Sequence, residues 1–272
     1  MTVRAYKIVI GILVLIIAAQ WVYMFARKPA VAPEVKPVKV KKAVTVRKPA
    51  PPAAKGTVAI VLDDWGYNLN NMPALEQIPY PLTIAVLPNL AYSQRVGETL
   101  HSRGREIILH CPMEPLQKVP LEKDTILTTM DSGTIKRILD SNVRTFPYIR
   151  GISNHMGSRA TEDNRTMQII MSELKHKKLY FLDSFVTSRS VAGSEAFRAG
   201  VSFVKRDIFL DNNPDPEYIR QQVYKVLSLA QRNGSAVAIG HDRKNTLEVL
   251  RQVMPEAAKE GYRFVNLSDL VK

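Results

Sequence analysis

Val58-Ala-Ile-Val-Leu62, closed by Asp63 and Asp64, is the stretch on which the reading of this chain turns. Five apolar residues between Gly56 and two aspartates have the length and β-branched content of a strand buried on both faces. Similar runs recur downstream at Leu82–Leu87 (ended by Pro88), Glu106–Leu109, Gly151–Asn154, Leu179–Leu182, Val201–Val204, Ala236–Gly240 and Phe264–Val265. Between them lie segments with helical spacing. Tyr92–Arg103 stops at Gly104, and Ile135, Ile138 and Leu139 mark a helix after Ser132. Met167, Ile170, Met171 and Leu174 share a face from about Glu162 onward. Asp215 caps a long helix ended by Gly234, and Asn245–Glu260 forms another. Seven to eight buried strands alternating with amphipathic helices predict an α/β domain on a parallel sheet over residues 56–272. The sheet is either a closed or incomplete (β/α) barrel or an open doubly wound one. No Gly-x-Gly-x-x-Gly follows the first strand and no phosphate loop is present, which lowers the nucleotide-binding version.

The chain upstream has a different character. Ile8–Ala26 is 19 residues without a charge, flanked by Arg4 and Lys7 and by Arg27 and Lys28. At ~1.5 Å per residue this spans ~28 Å, close to the hydrocarbon thickness of a bilayer. Trp21 and Tyr23 suit the far interface. The length, and Pro33 after Ala30-Val31-Ala32, favour an uncleaved anchor (residues 1–26) over a signal peptide. Residues 27–55 hold six prolines, nine basic residues and one acid, Glu34. They read as an extended, self-repelling stalk, suited to contact with an anionic envelope surface or to service as a soluble spacer.

The stalk accounts for most of the charge. The 272 residues carry 38 basic and 25 acidic side chains, a net of +13. The stalk contributes +8, the first 26 residues +2 and the remainder +3. No zinc finger, RNP-like strand or Arg/aromatic repeat accompanies the excess, so nucleic acid is not an expected partner. The single cysteine, Cys111, excludes an intramolecular disulfide framework and reads as structural.

The informative charges follow the strands. Asp63 and Asp64 come after the first, His110 and then Glu114 after Glu106–Leu109, and Asn154 and His155 at the end of the Gly151 run. Asp183 follows Leu179–Leu182, and His241 follows Ala236–Gly240. In a parallel barrel these ends converge on one rim, which carries the chemistry. A lone Asp there is commonly a helix cap and a lone His a packed rim residue. Acids and imidazoles after five strands would instead repel or pair around a cation. Carboxylate plus imidazole suits zinc and similar divalent ions. A carboxylate left free beside the metal can take a proton from water, which points to metal-assisted hydrolysis.

Five segments in order carry a family resemblance: Val61-Leu-Asp-Asp-Trp-Gly66, Leu109-His-Cys-Pro-Met-Glu-Pro115, Ser153-Asn-His-Met-Gly-Ser158, Phe181-Leu-Asp-Ser184 and Ala238-Ile-Gly-His241. Over about residues 57–271 the chain resembles polysaccharide deacetylases of carbohydrate esterase family four, and more closely the divergent polysaccharide deacetylase family of bacterial envelope proteins. The resemblance implies a distorted (β/α) barrel that removes acetyl groups from sugars at a divalent metal, zinc. The implied substrate is an acetylated polysaccharide or peptidoglycan-type glycan. It makes Asp63 the catalytic base, Asp64 and His110 metal ligands, His241 the general acid and Asp183 the acid that orients such a partner. Glu114 stands where the family has a third ligand histidine. Either Glu114 binds the metal, or His155 replaces the histidine and Glu114 supports from behind. Asn154, His155 and Arg159 occupy the place of the family's Arg-containing motif, with Asn154 and Arg159 as substrate contacts. Trp65 either stacks on a sugar ring or packs under the first loop. Asp211 is either a rim residue or a turn former.

A bacterial envelope protein with one N-terminal span implies a single-pass membrane protein with its C-terminal domain outside the cytoplasm, in the periplasm or at the cell surface. The nine basic residues after the span favour the opposite orientation, so residue counts leave topology open. The Glu114 departure and the missing Arg motif keep a non-catalytic barrel, binding an envelope glycan or protein, as the alternative to the enzyme. A two-carboxylate glycosidase is weaker, since it leaves three rim histidines unused.

Overall fold

The computed structural model describes the backbone of residues 3–26 and 54–272, with side chains at 12, 13, 15–26 and from 54 onward. The chain divides into two units at Pro51/Pro52. In the first, Val3–Ala26 forms one helix, α1. Its described apolar side chains, Leu15, Trp21 and Phe25 among them, are exposed. Among the described residues no helix is long and apolar enough to cross a membrane. The expected span at Ile8–Ala26 falls partly on side chains outside those described, and nearly all of the stalk lies outside them.

In the second unit the chain runs β1 (Gly56–Trp65), α2 (Met72–Glu76), β2 (Thr83–Val86), α3 (Ser93–Ser102), β3 (Glu106–Met113), α4 (Ser132–Thr145) and β4 (Gly151–Met156). It continues through α5 (Asn164–Lys177), β5 (Tyr180–Asp183), α6 (Ala192–Ala199), β6 (Phe203–Lys205), β7 (Ile208–Phe209), α7 (Pro216–Asn233), β8 (Ser235–His241), α8 (Lys244–Lys259) and β9 (Tyr262–Val265). All ladders are parallel, in the order β6-β5-β4-β3-β2-β1-β8-β7. The two edge strands, β6 and β7, are consecutive in sequence. Laid flat, seven steps of ~4.8 Å would separate them by ~34 Å. The stretch from Lys205 to Ile208 reaches at most ~11 Å. The sheet therefore curls until its edges meet at Arg206-Asp207, giving an α/β barrel whose ladder is incomplete at that seam. On the two sides of this seam Asp207 accepts from Val237 N of β8 at 2.8 Å and Arg206 Nε donates to Ser184 O, after β5, at 2.7 Å. The short β6 and β7 reflect the same seam, and the predicted strand at Val201–Val204 is shifted to Phe203–Lys205.

β1 is buried except at Asp64 and shares one edge between two partners, β9 at Gly56–Ala59 and β2 from Val61 on. The helices pack their apolar faces outside the sheet, as Met167, Ile170, Met171 and Leu174 of α5 do. A smaller set, including Ala59, Val61, Ala85, Ile108, Leu182 and Ile239, forms a second apolar cluster. These alternate along their strands with residues of the main cluster, which places the two sets on opposite faces of the sheet. Buried Glu106, at the start of β3, accepts from Thr83 Oγ1, Tyr180 Oη and Ser268 N at 2.9 to 3.1 Å. This ties the C-terminal segment across the end opposite the rim. β3 and β4 run past the predicted ends at Leu109 and Asn154, because His110–Met113 and Ser153–Met156 stay in register with each other.

Candidate active site

The centre is built on the last residues of β1, β3, β4 and β8. Successive side chains of a regular strand point to opposite faces, yet Asp63 and Asp64 both face His110. The ladder to β2 slips between Leu62 and Trp65, and Asp64 has a left-handed φ of 64°. Such a bulge re-aims a side chain. It brings Asp63 Oδ2 to 3.6 Å and Asp64 Oδ1 to 3.3 Å from His110 Nε2. On β4, His155 Nδ1 lies 3.0 Å from the same Asp64 oxygen. The two imidazoles meet edge to face with centroids 5.0 Å apart. Ligand atoms of Asp64, His110 and His155 all lie within 4.8 Å of one another.

These three residues fit a divalent cation. A tetrahedral ion with bonds of ~2.0–2.1 Å sets its ligands ~3.3 Å apart, close to the two distances on Asp64. His110 Nδ1 bonds Ser153 Oγ at 2.8 Å. When Nδ1 donates, Nε2 turns a lone pair toward two carboxylates, which needs a cation between them. Asp63 Oδ1 and His155 Nε2 are buried without a hydrogen-bond partner among the described residues. Burial would raise the Asp64 pKa, but hydrogen bonds and charge from His110 and His155 outweigh it and hold the group well below the carboxylate range. Asp63 shifts the other way. Burial raises its pKa, with only partial relief from His110 and His241.

Glu114 does not join this cluster, contrary to its candidacy as a ligand. Its Oε2 accepts from Thr128 N and Oγ1 at 2.7 Å each, and Oε1 lies 3.4 Å from Arg159 Nε. Position 114 falls one residue beyond the ladder and turns to the loop, whereas His155 is still in register on β4.

His241 ends β8 opposite Asp63 in register. Its orienting acid is Asp211, not Asp183. Fully buried Asp211 bonds His241 Nδ1 at 2.7 Å, and also accepts from His241 N and Thr246 Oγ1. Burial would lower the His241 pKa, but the Asp211 bond and charge raise it overall. Asp183 is occupied elsewhere, accepting from Phe185 N and Ser190 Oγ at 2.7 Å. Burial pushes its pKa up. The signal for Asp211 was present in sequence: it follows the apolar Ile208-Phe-Leu210 as the other rim acids follow their strands. What sequence could not show is that the seam sets β7 directly beside β8.

The sequence pattern of the divergent polysaccharide deacetylases matches residues 60–271. The chain belongs to this family. It is 40% identical over 203 residues to the uncharacterized protein YibQ of Escherichia coli K12, covering 75% of this chain and 64% of that protein. The chain thus spans somewhat less than two thirds of that relative. Among solved structures, an uncharacterized protein from Agrobacterium tumefaciens C58 superposes with a TM-score of 0.76 at 22% identity, covering 82% of this chain and 92% of the other. A family 4 carbohydrate esterase from Streptomyces lividans, in complex with acetate, gives 0.51 at 16% identity, covering 78% and 93%. The curled parallel barrel is thus the deacetylase fold.

The expected substrate contacts separate. Trp65 is fully buried and stacks on nothing from solvent, because its place in β1 turns it into the core. Asn154 is buried too, its amide spent on Met156 O and Ser184 N. Arg159 is half exposed and lines a groove of about 530 Å³ with Glu114, Leu116 and Leu127. Cys111 is buried, and burial pushes its thiol up to about 12.

Proposed function

We propose that this deacetylase-family chain is a divalent-metal-dependent hydrolase, with zinc the best-matched ion, that removes acetyl groups from an envelope carbohydrate. The observation that carries the reading is the convergence of Asp64, His110 and His155 beside buried Asp63, whose Oδ1 has no hydrogen-bond partner among the described residues. When bound, such a cation supplies Lewis acidity toward the acetyl carbonyl and a nearby water. Asp64, His110 and His155 are the residues that would hold it. Asp63 takes the proton from the attacking water, and its raised pKa makes it a better base than an exposed aspartate. His241 has Nδ1 tied to Asp211, which leaves Nε2 to protonate the departing amine or alkoxide. The Asp211 bond favours the imidazolium needed for that step.

The reading extends to location through the sequence alone. The apolar Ile8–Ala26 stretch anchors the protein, the basic stalk lies along an anionic surface, and the domain works outside the cytoplasm on an acetylated glycan. The deciding experiment measures bound zinc in the purified protein, then acetate release from acetylated oligosaccharides. Stoichiometric zinc, and acetate release lost in Asp63→Asn, support the proposal. A protein that binds no zinc at micromolar concentration refutes it. A reporter fused after Lys272 that is active only in the cytoplasm refutes the location.

A further inference from the structure

The loop that leaves β1 carries a second aromatic residue, Tyr67, two positions after the buried Trp65. Tyr67 is 47% exposed. Its hydroxyl donates to Glu122, 55 residues away on the segment that follows β3. That segment, Pro115–Leu127, is long for a loop without regular structure, and such loops are commonly functional. It is tied down at each neighbouring strand end. Asn89 Nδ2, after β2, donates to Asp124 at 3.1 Å, and Leu116 N, within the loop, donates to Ser158 Oγ, after β4, at 2.9 Å. The Tyr67–Glu122 bond closes the set by joining the β1 and β3 loops across the end of β2. These are the two strands that bring Asp64 and His110 together.

The ring is therefore fixed on the rim beside the centre. Its phenol pKa is held above the ordinary range by partial burial, then by the bond and charge of Glu122 and the charge of Asp64. Tyr67 lies three residues after Asp64, on the loop that leaves the same strand. An exposed tyrosine ordinarily loses rotamer freedom when a ligand docks. Here the bond to Glu122 has already removed much of it. A ring face of negative quadrupole meets the weakly positive C–H face of a pyranose favourably. The hydroxyl is engaged at the ring edge, while about half of the residue remains exposed.

We propose that Tyr67, pinned by Glu122, is the specificity-determining platform for the sugar ring that carries the acetyl group. This rests on the hydrolase reading above and names the substrate class as a pyranoside rather than a small acetyl ester. Glu122 acts through Tyr67 and is a positioning residue.

The test uses the full chain in an Asp63→Asn background, which stops turnover, and a β-1,4-linked tetramer of N-acetylglucosamine as probe. Calorimetry should show Tyr67→Ala weakening tetramer binding by at least 10-fold. Tyr67→Phe and Glu122→Gln, which keep the ring but release it, should each weaken binding about 2- to 5-fold. With Asp63 intact, hydrolysis of an aryl acetate that has no sugar should change less than about 2-fold in all three variants. Zinc stoichiometry should not change. Tetramer binding by Tyr67→Ala within 2-fold of its parent overturns the proposal while leaving the hydrolase reading intact. A parent that binds neither zinc nor tetramer overturns both. Should Tyr67→Ala lose zinc as well, Glu122→Gln decides: unchanged tetramer affinity there overturns the proposal.

Discussion

Replacing Asp211 by Asn tests how the seam of the barrel serves the chemistry. The carboxylate has no solvent exposure and takes hydrogen bonds from His241 N, Thr246 Oγ1 and His241 Nδ1. An asparagine oxygen can keep the first two. Its NH₂ then faces His241 Nδ1, which must turn from donor to acceptor. The charge-assisted bond is lost, at a cost of about 1.5–3 kcal/mol. At ~2–4 °C per kcal/mol for a domain of this size, the melting temperature should fall by roughly 3–12 °C. The pH dependence separates charge from packing. The His241 pKa is raised in the fold, so its contribution is full below the unfolded value of about 6.5 and fades as pH rises through the folded value. The Asp211 pKa is lowered, with burial opposing and the His241 bond and charge prevailing. Its contribution is full above about 4 and is lost as pH falls through its depressed folded value. The pair is thus strongest between about pH 4 and 6.5. Melting curves of wild type and Asp211→Asn should differ most at pH 5.5. By pH 9 the imidazole is neutral while Asp211 is still a carboxylate, so the gap should narrow by the lost imidazolium–carboxylate attraction but not close. An equal gap at both pH values would refute the imidazolium–carboxylate pairing.

Three further outcomes follow from the same geometry. Asp64→Ala and His155→Ala should each weaken zinc binding at least about 100-fold, whereas Glu114→Gln should stay within about threefold, as read by competition with a chelating dye. Trp65→Ala should cost about 3–5 kcal/mol in urea unfolding. Trp65→Phe should leave zinc and glycan binding unchanged, because the indole nitrogen has no hydrogen-bond partner to lose. Gly56→Ala should destabilise by about 1–3 kcal/mol or more in the same assay, since the new Cβ would lie 2.6 Å from the backbone carbon of Ala230.

The fold class was legible because its cause is local. Runs such as Val58–Leu62 and Ala236–Gly240 can only be buried strands, and the helical faces between them force parallel crossovers. The candidate metal residues Asp64 and His110 were legible for the same reason, since parallel strands deliver their C-terminal residues to one rim; between Glu114 and His155 the sequence left the choice open. Periodicity could not give the depth of each strand. His110, Asn154 and His155 lie inside β3 and β4 because the two strands hold register beyond their apolar cores. One extra residue of register is what separates His155 in the centre from Glu114 in the loop.

Sequence by itself determined that acids and imidazoles would meet at a strand-end rim, and that most of the net charge lies before residue 56. Tertiary structure alone decided which of them touch. A bulge turned Asp63 and Asp64 to the same side, and burial removed Trp65 and Asn154 from the surface. Curling of the sheet carried β7 against β8, so that Asp211 rather than Asp183 holds His241. Each of these depends on contacts between residues some 20 to 30 positions apart, which no local pattern encodes.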